Sequence, residues 1–102
     1  MLKFSGQQDR ELRALCLRHG VKRLELFGSA ITDDFDIGLS DLDFLVEFEP
    51  MADGGYASRY FGLLEDLEQL FGRPVDLLEI KAVTNPYFLQ SIRNTRISVY
   101  AA

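Results

Sequence analysis

Hydrophobic residues recur at helical spacing in two stretches of the chain. The first lies between Ser5, which can cap a helix at its N-terminus, and Gly20, which can end one. The second ends where Gly72, Arg73 and Pro74 follow each other, a combination that stops a helix. Both stretches therefore predict an amphipathic helix with one face in the core. The residues at this spacing are Leu12, Leu15, Cys16 and His19 in the first helix and Tyr60, Leu63, Leu64, Leu67 and Phe71 in the second.

A third stretch, between Ser40 and Pro50, alternates strictly along the chain. Side chains at every second position of a β-strand lie on the same face of the sheet. The period of two therefore predicts a strand with one face buried and the other polar. The buried face would carry Leu42, Phe44, Val46 and Phe48, and the opposite face Asp41, Asp43, Leu45, Glu47 and Glu49.

Three shorter strands and a third helix complete the prediction. Residues 21–27, 75–80 and 97–100 have the composition of strands. Asn85 followed by proline is typical of a helix start, and that helix would cover residues 86–94. The order of these elements predicts an α+β fold, in which helices pack on a small mixed β-sheet.

Size and charge limit the function. The chain has 102 residues, 47% of them hydrophobic, so we expect a single domain over residues 1–102. Its 16 acidic and 11 basic residues give a net charge of −5, which disfavours binding to long nucleic acid and suits a divalent cation or a basic partner. Cys16 is the only cysteine, so no intramolecular disulfide can form. The sequence shows neither a signal peptide nor a membrane span, and a cytoplasmic protein without membrane contact is expected.

The candidate chemistry lies where the first strand ends and the second begins. Asp41 and Asp43 are two positions apart, so both lie on the strand face away from the core. Two carboxylates about 5 Å apart repel each other by about 3 kcal/mol at an effective dielectric constant of about 20. A cation between them removes this repulsion, and hard oxygen ligands with room for water and phosphate suit Mg²⁺ or Mn²⁺. The pair therefore predicts a site for one of these ions.

Gly28 and Ser29 follow the first strand and suit a phosphate. Glycine lets the backbone approach a phosphate closely, and the next N–H and hydroxyl can donate to its oxygens. Each pattern alone is common, because Gly-Ser is a frequent turn and Asp-x-Asp a frequent solvated strand edge. In combination they indicate phosphoryl transfer, in which positioning and charge neutralisation supply most of the catalysis.

These residues resemble the signature of the minimal nucleotidyltransferases of the DNA polymerase beta superfamily. That signature is a hydrophobic residue before Gly-Ser, a gap of fixed size, and Ser-Asp-x-Asp before an apolar run. Residues 27–29 (Phe-Gly-Ser) and 40–43 (Ser-Asp-Leu-Asp) match it. Asp76, on the predicted third strand, matches the position of the family's third carboxylate. The resemblance covers essentially the whole chain, including its tail.

The resemblance implies an enzyme that uses ATP and transfers a nucleoside monophosphate to an acceptor. Asp41 and Asp43 would hold the metal ions. Asp76 would complete the second metal site and act as, or orient, the base that activates the acceptor hydroxyl. Gly28 and Ser29 would hold the β- and γ-phosphates.

The same resemblance implies a protein acceptor. Related minimal nucleotidyltransferases act as antitoxins that neutralise small helical HEPN-type ribonuclease toxins, some of them by modifying a tyrosine. We therefore expect a HEPN-type toxin as the partner, with a homo-oligomer as the other way to bring an acceptor to the site. Tyr87 and Phe88 adjoin in the predicted last helix, which indicates an interface there, with Arg93 or Arg96 at its rim. A small-molecule transferase is the third hypothesis, and it would need an acceptor domain that this chain lacks.

One segment departs from the family pattern. Family members often carry a basic, glycine-containing stretch after Gly-Ser, whereas residues 30–33 are Ala-Ile-Thr-Asp, with Asp34 and Asp36 close behind. The spacing of these acids does not fit an EF-hand calcium loop, and we interpret the segment as solvated. Its charge favours an alternative function, a binding-only antitoxin or scaffold with a degenerate site, while the intact carboxylates favour the enzyme.

Overall fold

The computed structural model describes residues 4–28, 41–50, 55–82, 86–91 and 96–102. Helices, strands and one short 3₁₀ turn, Ile80–Ala82, lie within these ranges. The helices are α1 (Gly6–Arg18), α2 (Tyr56–Phe71) and α3 (Pro86–Ser91), and the strands are β1 (Val21–Phe27), β2 (Leu42–Phe48), β3 (Val75–Glu79) and β4 (Arg96–Ala101).

Local signals in the sequence set the start of α1 and the end of α2. Ser5 and Gln8 form a capping box: the Ser5 hydroxyl accepts the Gln8 N–H at 3.1 Å, and the Gln8 side chain accepts the Ser5 N–H at 3.0 Å. At the other signal, Gly72 adopts a left-handed φ of 65°. Its N–H donates to the Glu68 carbonyl at 2.8 Å and closes α2.

The strands form one mixed sheet in the order β3-β2-β1-β4. β1 is antiparallel to both β2 and β4, and β2 is parallel to β3. The predicted α+β fold with a small mixed sheet is confirmed.

The main core lies between one face of this sheet, called the inner face, and the two long helices. The four residues predicted for the buried face of β2 are all buried there. Burying a side chain of this size stabilises a fold by about 1.5–3 kcal/mol, so the cluster holds α1 and α2 on the sheet. Its other members include Leu12 and Cys16 of α1, Leu24 and Leu26 of β1, Leu63 and Leu67 of α2, and Leu77 of β3.

The opposite, outer face of the sheet is less polar than the sequence predicts. Leu45 of β2 has no exposed surface, and it packs with Phe27, which is 6% exposed, and with Leu78 and Ile80. The alternation places Leu45 on the correct face, but a local period carries no information on what covers that face. The prediction of one buried and one polar face is therefore wrong at the centre of β2.

The ends of two other strands differ from the prediction. β3 ends at Glu79, one residue early, because Ile80 begins the 3₁₀ turn. β4 extends one residue beyond the prediction at each end. Asn85 and residues 92–94 of the predicted last helix lie outside the described residues. Among the helices that the structure describes, none is long and apolar enough to cross a membrane.

Candidate active site

The carboxylates singled out in the sequence meet at one end of the sheet, where β1 ends and β2 and β3 begin. The strand register pairs Asp43 with Asp76 on parallel β3 and with Phe27 on antiparallel β1. Neighbouring strands lie about 4.8 Å apart. Asp43 and Asp76 are therefore direct neighbours on the outer face.

The residues before the two aspartates produce this alignment. Leu42 and Val75 are paired in register, and both pack in the main core. The Leu42 N–H donates to the Pro74 carbonyl at 3.2 Å, which continues the pairing beyond the first residues of both strands. Because successive side chains alternate between the faces of a strand, Asp43 and Asp76 then share the outer face.

Gly28, just after β1, lies against Asp43. Its φ is 77°, in the left-handed region, where a side chain is strained. A β-carbon at this position would stand 2.5 Å from Oδ2 of Asp43. The sequence predicts a phosphate contact for Gly28; the structure shows, in addition, that a glycine here leaves room for the carboxylate. The phosphate contact stays a prediction.

The site concentrates negative charge. Asp43 is partly buried, whereas Asp41 and Asp76 are exposed. Burial raises the pKa of Asp43 above its ordinary value of 3.8, and the carboxylates of Asp76 and Asp41 raise it further. Protonation of Asp43 or a nearby cation would relieve the repulsion between these carboxylates. A carboxylate with a raised pKa beside other carboxylates is typical of catalytic sites and of metal sites.

The carboxylates do not form a closed metal site. Within the described part of the chain, no group of three His, Cys, Asp or Glu side chains converges closely enough to hold a metal ion. An ion bound at Asp43 would therefore take further ligands from water or from another molecule, as Mg²⁺ commonly does at phosphate-binding sites.

Several predicted residues cannot be placed against this geometry. Ser29, Ser40 and the acidic residues Asp33, Asp34 and Asp36 lie outside the described residues. The predicted contact of Ser29 with phosphate and the effect of the acidic segment stay predictions.

Tyr60 is a residue of this region for which the sequence predicts only a place on the apolar face of α2. Its hydroxyl donates a hydrogen bond to the Leu77 carbonyl of β3. Burial raises its pKa above 10.0, and the Asp76 carboxylate raises it further, so the phenol lies within electrostatic reach of the site. With Tyr56, Leu77, Leu78 and Glu79 it lines a cavity of about 350 Å³ beside β3. No local sequence signal identifies this role, because it depends on how α2 packs along β3.

Comparisons with known proteins agree with the predicted family. The family described as Nucleotidyltransferase domain matches residues 9–99. A protein of Methanocaldococcus jannaschii named "Putative protein adenylyltransferase MJ1379" is 37% identical over 84 residues, which cover 80% of each chain. A solved structure described as a "putative minimal nucleotidyltransferase" is 30% identical, with a TM-score of 0.64, and the match covers 89% of this chain and 87% of that one.

A more distant similarity links the fold to a complex. A chain in the solved complex of a tri-AMPylated Shewanella oneidensis HEPN toxin with an MNT antitoxin has a TM-score of 0.62. The match covers 94% of this chain and 71% of that one at 15% sequence identity. At this identity the likeness concerns the fold alone.

Proposed function

Because the chain belongs to the nucleotidyltransferase domain family, we propose that it transfers AMP from ATP to a protein acceptor, a small helical toxin of the HEPN type. The name of its M. jannaschii relative, a protein adenylyltransferase, supports the reaction. The fold similarity to a chain in a complex with an AMPylated HEPN toxin supports the acceptor.

The observation that carries this proposal is the position of Asp43 between Gly28 and Asp76. Register brings Asp76 beside Asp43 from a strand far along the chain, and the glycine leaves space for the carboxylate on its other side. A partly buried carboxylate with two acidic neighbours is unfavourable for folding alone. The presence of Asp43 where three strands meet is better explained by a cationic ligand.

The carboxylates of Asp41, Asp43 and Asp76 are the hard oxygen ligands that suit Mg²⁺ or Mn²⁺. Asp43 with either Asp41 or Asp76 would hold an ion, and phosphate oxygens of the nucleotide would supply further ligands. When bound, such an ion neutralises negative charge on the transferred phosphoryl group. The absence of a closed cluster among the described residues agrees with a site that nucleotide completes.

The transfer itself is a displacement at the α-phosphorus of ATP. The acceptor's hydroxyl oxygen forms a bond to the α-phosphorus, the bond to the bridging oxygen breaks, and pyrophosphate leaves with that electron pair. Asp76, which is exposed at the start of β3, accepts or orients the hydroxyl proton. Gly28 and Ser29 hold the β- and γ-phosphates.

Intact-mass spectrometry tests this function directly. The chain is purified with the product of its neighbouring gene and incubated with ATP and Mg²⁺ or Mn²⁺. We expect the acceptor to gain one or more AMP units, and Asp43→Asn to abolish the gain. Glu65→Gln, the same loss of charge at an exposed position of α2, is the matched control and should retain activity.

The masses also distinguish the alternative function. A tight complex in which both masses stay unchanged, with the wild-type chain and both ions, would contradict the enzyme and support a binding-only antitoxin. A chain that ignores its neighbour would contradict the proposed partner.

A further inference from the structure

A row of four residues crosses the outer face of the sheet at the candidate site. The strand registers pair Asp76 with Asp43, Asp43 with Phe27, and Phe27 with Arg96 of β4. Arg96 is thus separated from Asp43 by two strand spacings, about 10 Å between backbones, with the Phe27 side chain between them. The row has two carboxylates at one end and a guanidinium at the other.

Arg96 stands apart from the other basic residues of the strands. The residues of β1–β4 include three basic side chains, Lys22, Arg23 and Arg96. Lys22 and Arg23 lie at the start of β1, far from Asp43, and Arg23 pairs there with Glu47 at 2.8 Å. Among these strand residues, Arg96 alone brings positive charge to the end where the aspartates meet.

An irregularity in β4 puts Arg96 on the outer face. Leu24 pairs with Tyr100, but the next residue, Glu25, pairs with Ser98, so that Val99 is an extra residue in the ladder. Without this bulge Ile97 would pair with Phe27, and Arg96 would fall on the opposite face. Bulges re-aim side chains in this way beside functional sites.

Glu25 forms an ion pair with the Arg96 side chain. Nε of Arg96 lies 3.5 Å from Oε2 of Glu25, whose side chain is only 14% exposed, and Arg96 itself is 31% exposed. The other carboxylate oxygen, Oε1, is buried and accepts no hydrogen bond within the described structure. Burying a carboxylate is unfavourable unless an opposite charge is paired with it. The contact through Nε leaves the two terminal nitrogens of the guanidinium for a ligand.

We propose, on the basis of the proposed function, that Arg96 binds the phosphates of ATP from the β4 end of this row, while Asp76 lies at its β3 end on the same face. Glu25 is the positioning residue of Arg96. A planar guanidinium donates to two phosphate oxygens at once and matches their geometry. A polyphosphate beside Gly28, just beyond the end of β1, would then lie between the aspartates with their metal ion on one side and Arg96 on the other. This supplies positive charge that the acidic residues after Gly28 do not.

Binding of ATP, ADP and AMP, each with Mn²⁺, to the full chain tests this by calorimetry. We expect Arg96→Ala to weaken ATP binding by about tenfold, equivalent to about 1.4 kcal/mol, and AMP binding by less than about twofold. Arg96→Lys should restore part of the loss, and Glu25→Gln should lower the ratio of ATP to AMP affinity without abolishing binding. Arg23→Ala, which breaks a similar Arg–Glu pair on the same face, is the control and should change neither affinity.

Thermal unfolding of each variant checks that it is folded. If Arg96→Ala does not fold, Arg96→Gln, which keeps a long side chain, takes its place. Wild-type affinity for ATP in both Arg96 variants, or an equal loss for ATP and AMP, would overturn the inference. The inference would also be overturned if Arg73→Ala lowered the affinity for ATP more than that for AMP while Arg96→Ala changed neither. The loop before β3 would then supply the positive charge. If the wild-type chain binds no ATP at all, the proposed function fails as well. If Asp43→Asn abolishes ATP binding and the Arg96 variants bind ATP as the wild type does, only the role of Arg96 is overturned.

Discussion

Gly28 and Asp43 are in contact across the end of the sheet. A β-carbon on Gly28 would stand 2.5 Å from Oδ2 of Asp43, closer than side chains can approach without moving. The two residues belong to different strands and are brought together by the pairing of Phe27 with Asp43. The place of the Asp43 carboxylate on β2 therefore depends on the absence of a side chain at Gly28.

Gly28→Ala should lower both stability and nucleotide binding. A left-handed conformation costs a residue with a side chain about 1–2 kcal/mol, and the added methyl group pushes the Asp43 carboxylate out of its place. We expect the free energy of unfolding, measured in urea, to fall by about that amount. We also expect the Mn²⁺-dependent affinity for ATP, measured by calorimetry, to fall by about tenfold or more.

Gly72→Ala separates the two effects. Gly72 has a similar φ of 65°, but a β-carbon there would meet nothing within 4 Å. This variant should lose similar stability and keep its ATP affinity. If Gly28→Ala binds ATP as well as Gly72→Ala does, the contact with Asp43 has no part in nucleotide binding.

Asp43→Asn should stabilise the metal-free protein at neutral pH. The pKa of Asp43 is raised by burial, then by Asp76 and Asp41, so the folded state binds its proton more tightly than the unfolded state does. In the wild type, this contribution favours folding at low pH and is lost as the pH rises through the raised pKa. The asparagine variant should therefore be the more stable protein above that pKa, and the difference should vanish as the pH falls below 3.8.

Urea unfolding between pH 3 and 8 in the presence of a chelator measures this difference. Glu65→Gln, at an exposed position, should stay within about 0.5 kcal/mol of the wild type throughout. An Asp43→Asn protein that is less stable than the wild type at neutral pH would show that the carboxylate makes a stabilising contact in the fold.

Local patterns predicted the elements and one half of the site. The capping residues Ser5 and Gln8 and the alternation in β2 act over a few positions, so a sequence shows them directly. The alternation also placed Asp41 and Asp43 together. Asp76 entered only through the family resemblance, because its place beside Asp43 depends on the parallel register of two strands that a whole helix separates.

The features that the sequence did not reveal all depend on contacts between distant segments. Leu45 is buried because Phe27, Leu78 and Ile80 pack around it, and Gly28 is needed partly because Asp43 arrives from another strand. The orientation of Arg96 depends on a bulge that appears only when β4 pairs with β1. A period of two along one strand contains none of this information.

Cys16 should be unreactive in the folded protein. It is fully buried between α1 and the sheet, and burial raises its pKa from 9.0 to about 12. At pH 8 the thiolate fraction is then lower by about three powers of ten, since each pKa unit is a factor of ten.

Because the chain has one cysteine, labelling with iodoacetamide reports on this thiol alone. The double variant Cys16→Ala with Leu17→Cys moves the thiol to a side chain position that is 71% exposed, and it should label rapidly. Comparable rates for the two proteins would mean that α1 opens readily.

Tyr60→Phe should loosen the attachment of β3 to α2. The Tyr60 hydroxyl donates to the Leu77 carbonyl, one residue beyond Asp76, and β3 is an edge strand of the sheet. Losing the bond leaves the carbonyl without that donor and should cost about 0.5–1.5 kcal/mol in the free energy of unfolding. Burial and then Asp76 raise the pKa of Tyr60, so the stability it contributes is present below pH 10.0 and is lost as the pH rises through the raised value.

Unfolding in urea at pH 7 and at pH values above 10 measures both parts of this prediction for Tyr60. The difference between the wild type and Tyr60→Phe should be largest at neutral pH and should shrink in alkali, where the wild type loses stability faster. Tyr100→Phe makes the same change at a tyrosine of β4 whose hydroxyl forms no hydrogen bond within the described part of the chain, and it should stay within about 0.5 kcal/mol of the wild type. Because Asp76 precedes Leu77 directly, we also expect Tyr60→Phe to slow AMP transfer while leaving ATP affinity unchanged. Equal stabilities of Tyr60→Phe and Tyr100→Phe at pH 7 would contradict a stabilising bond between α2 and β3.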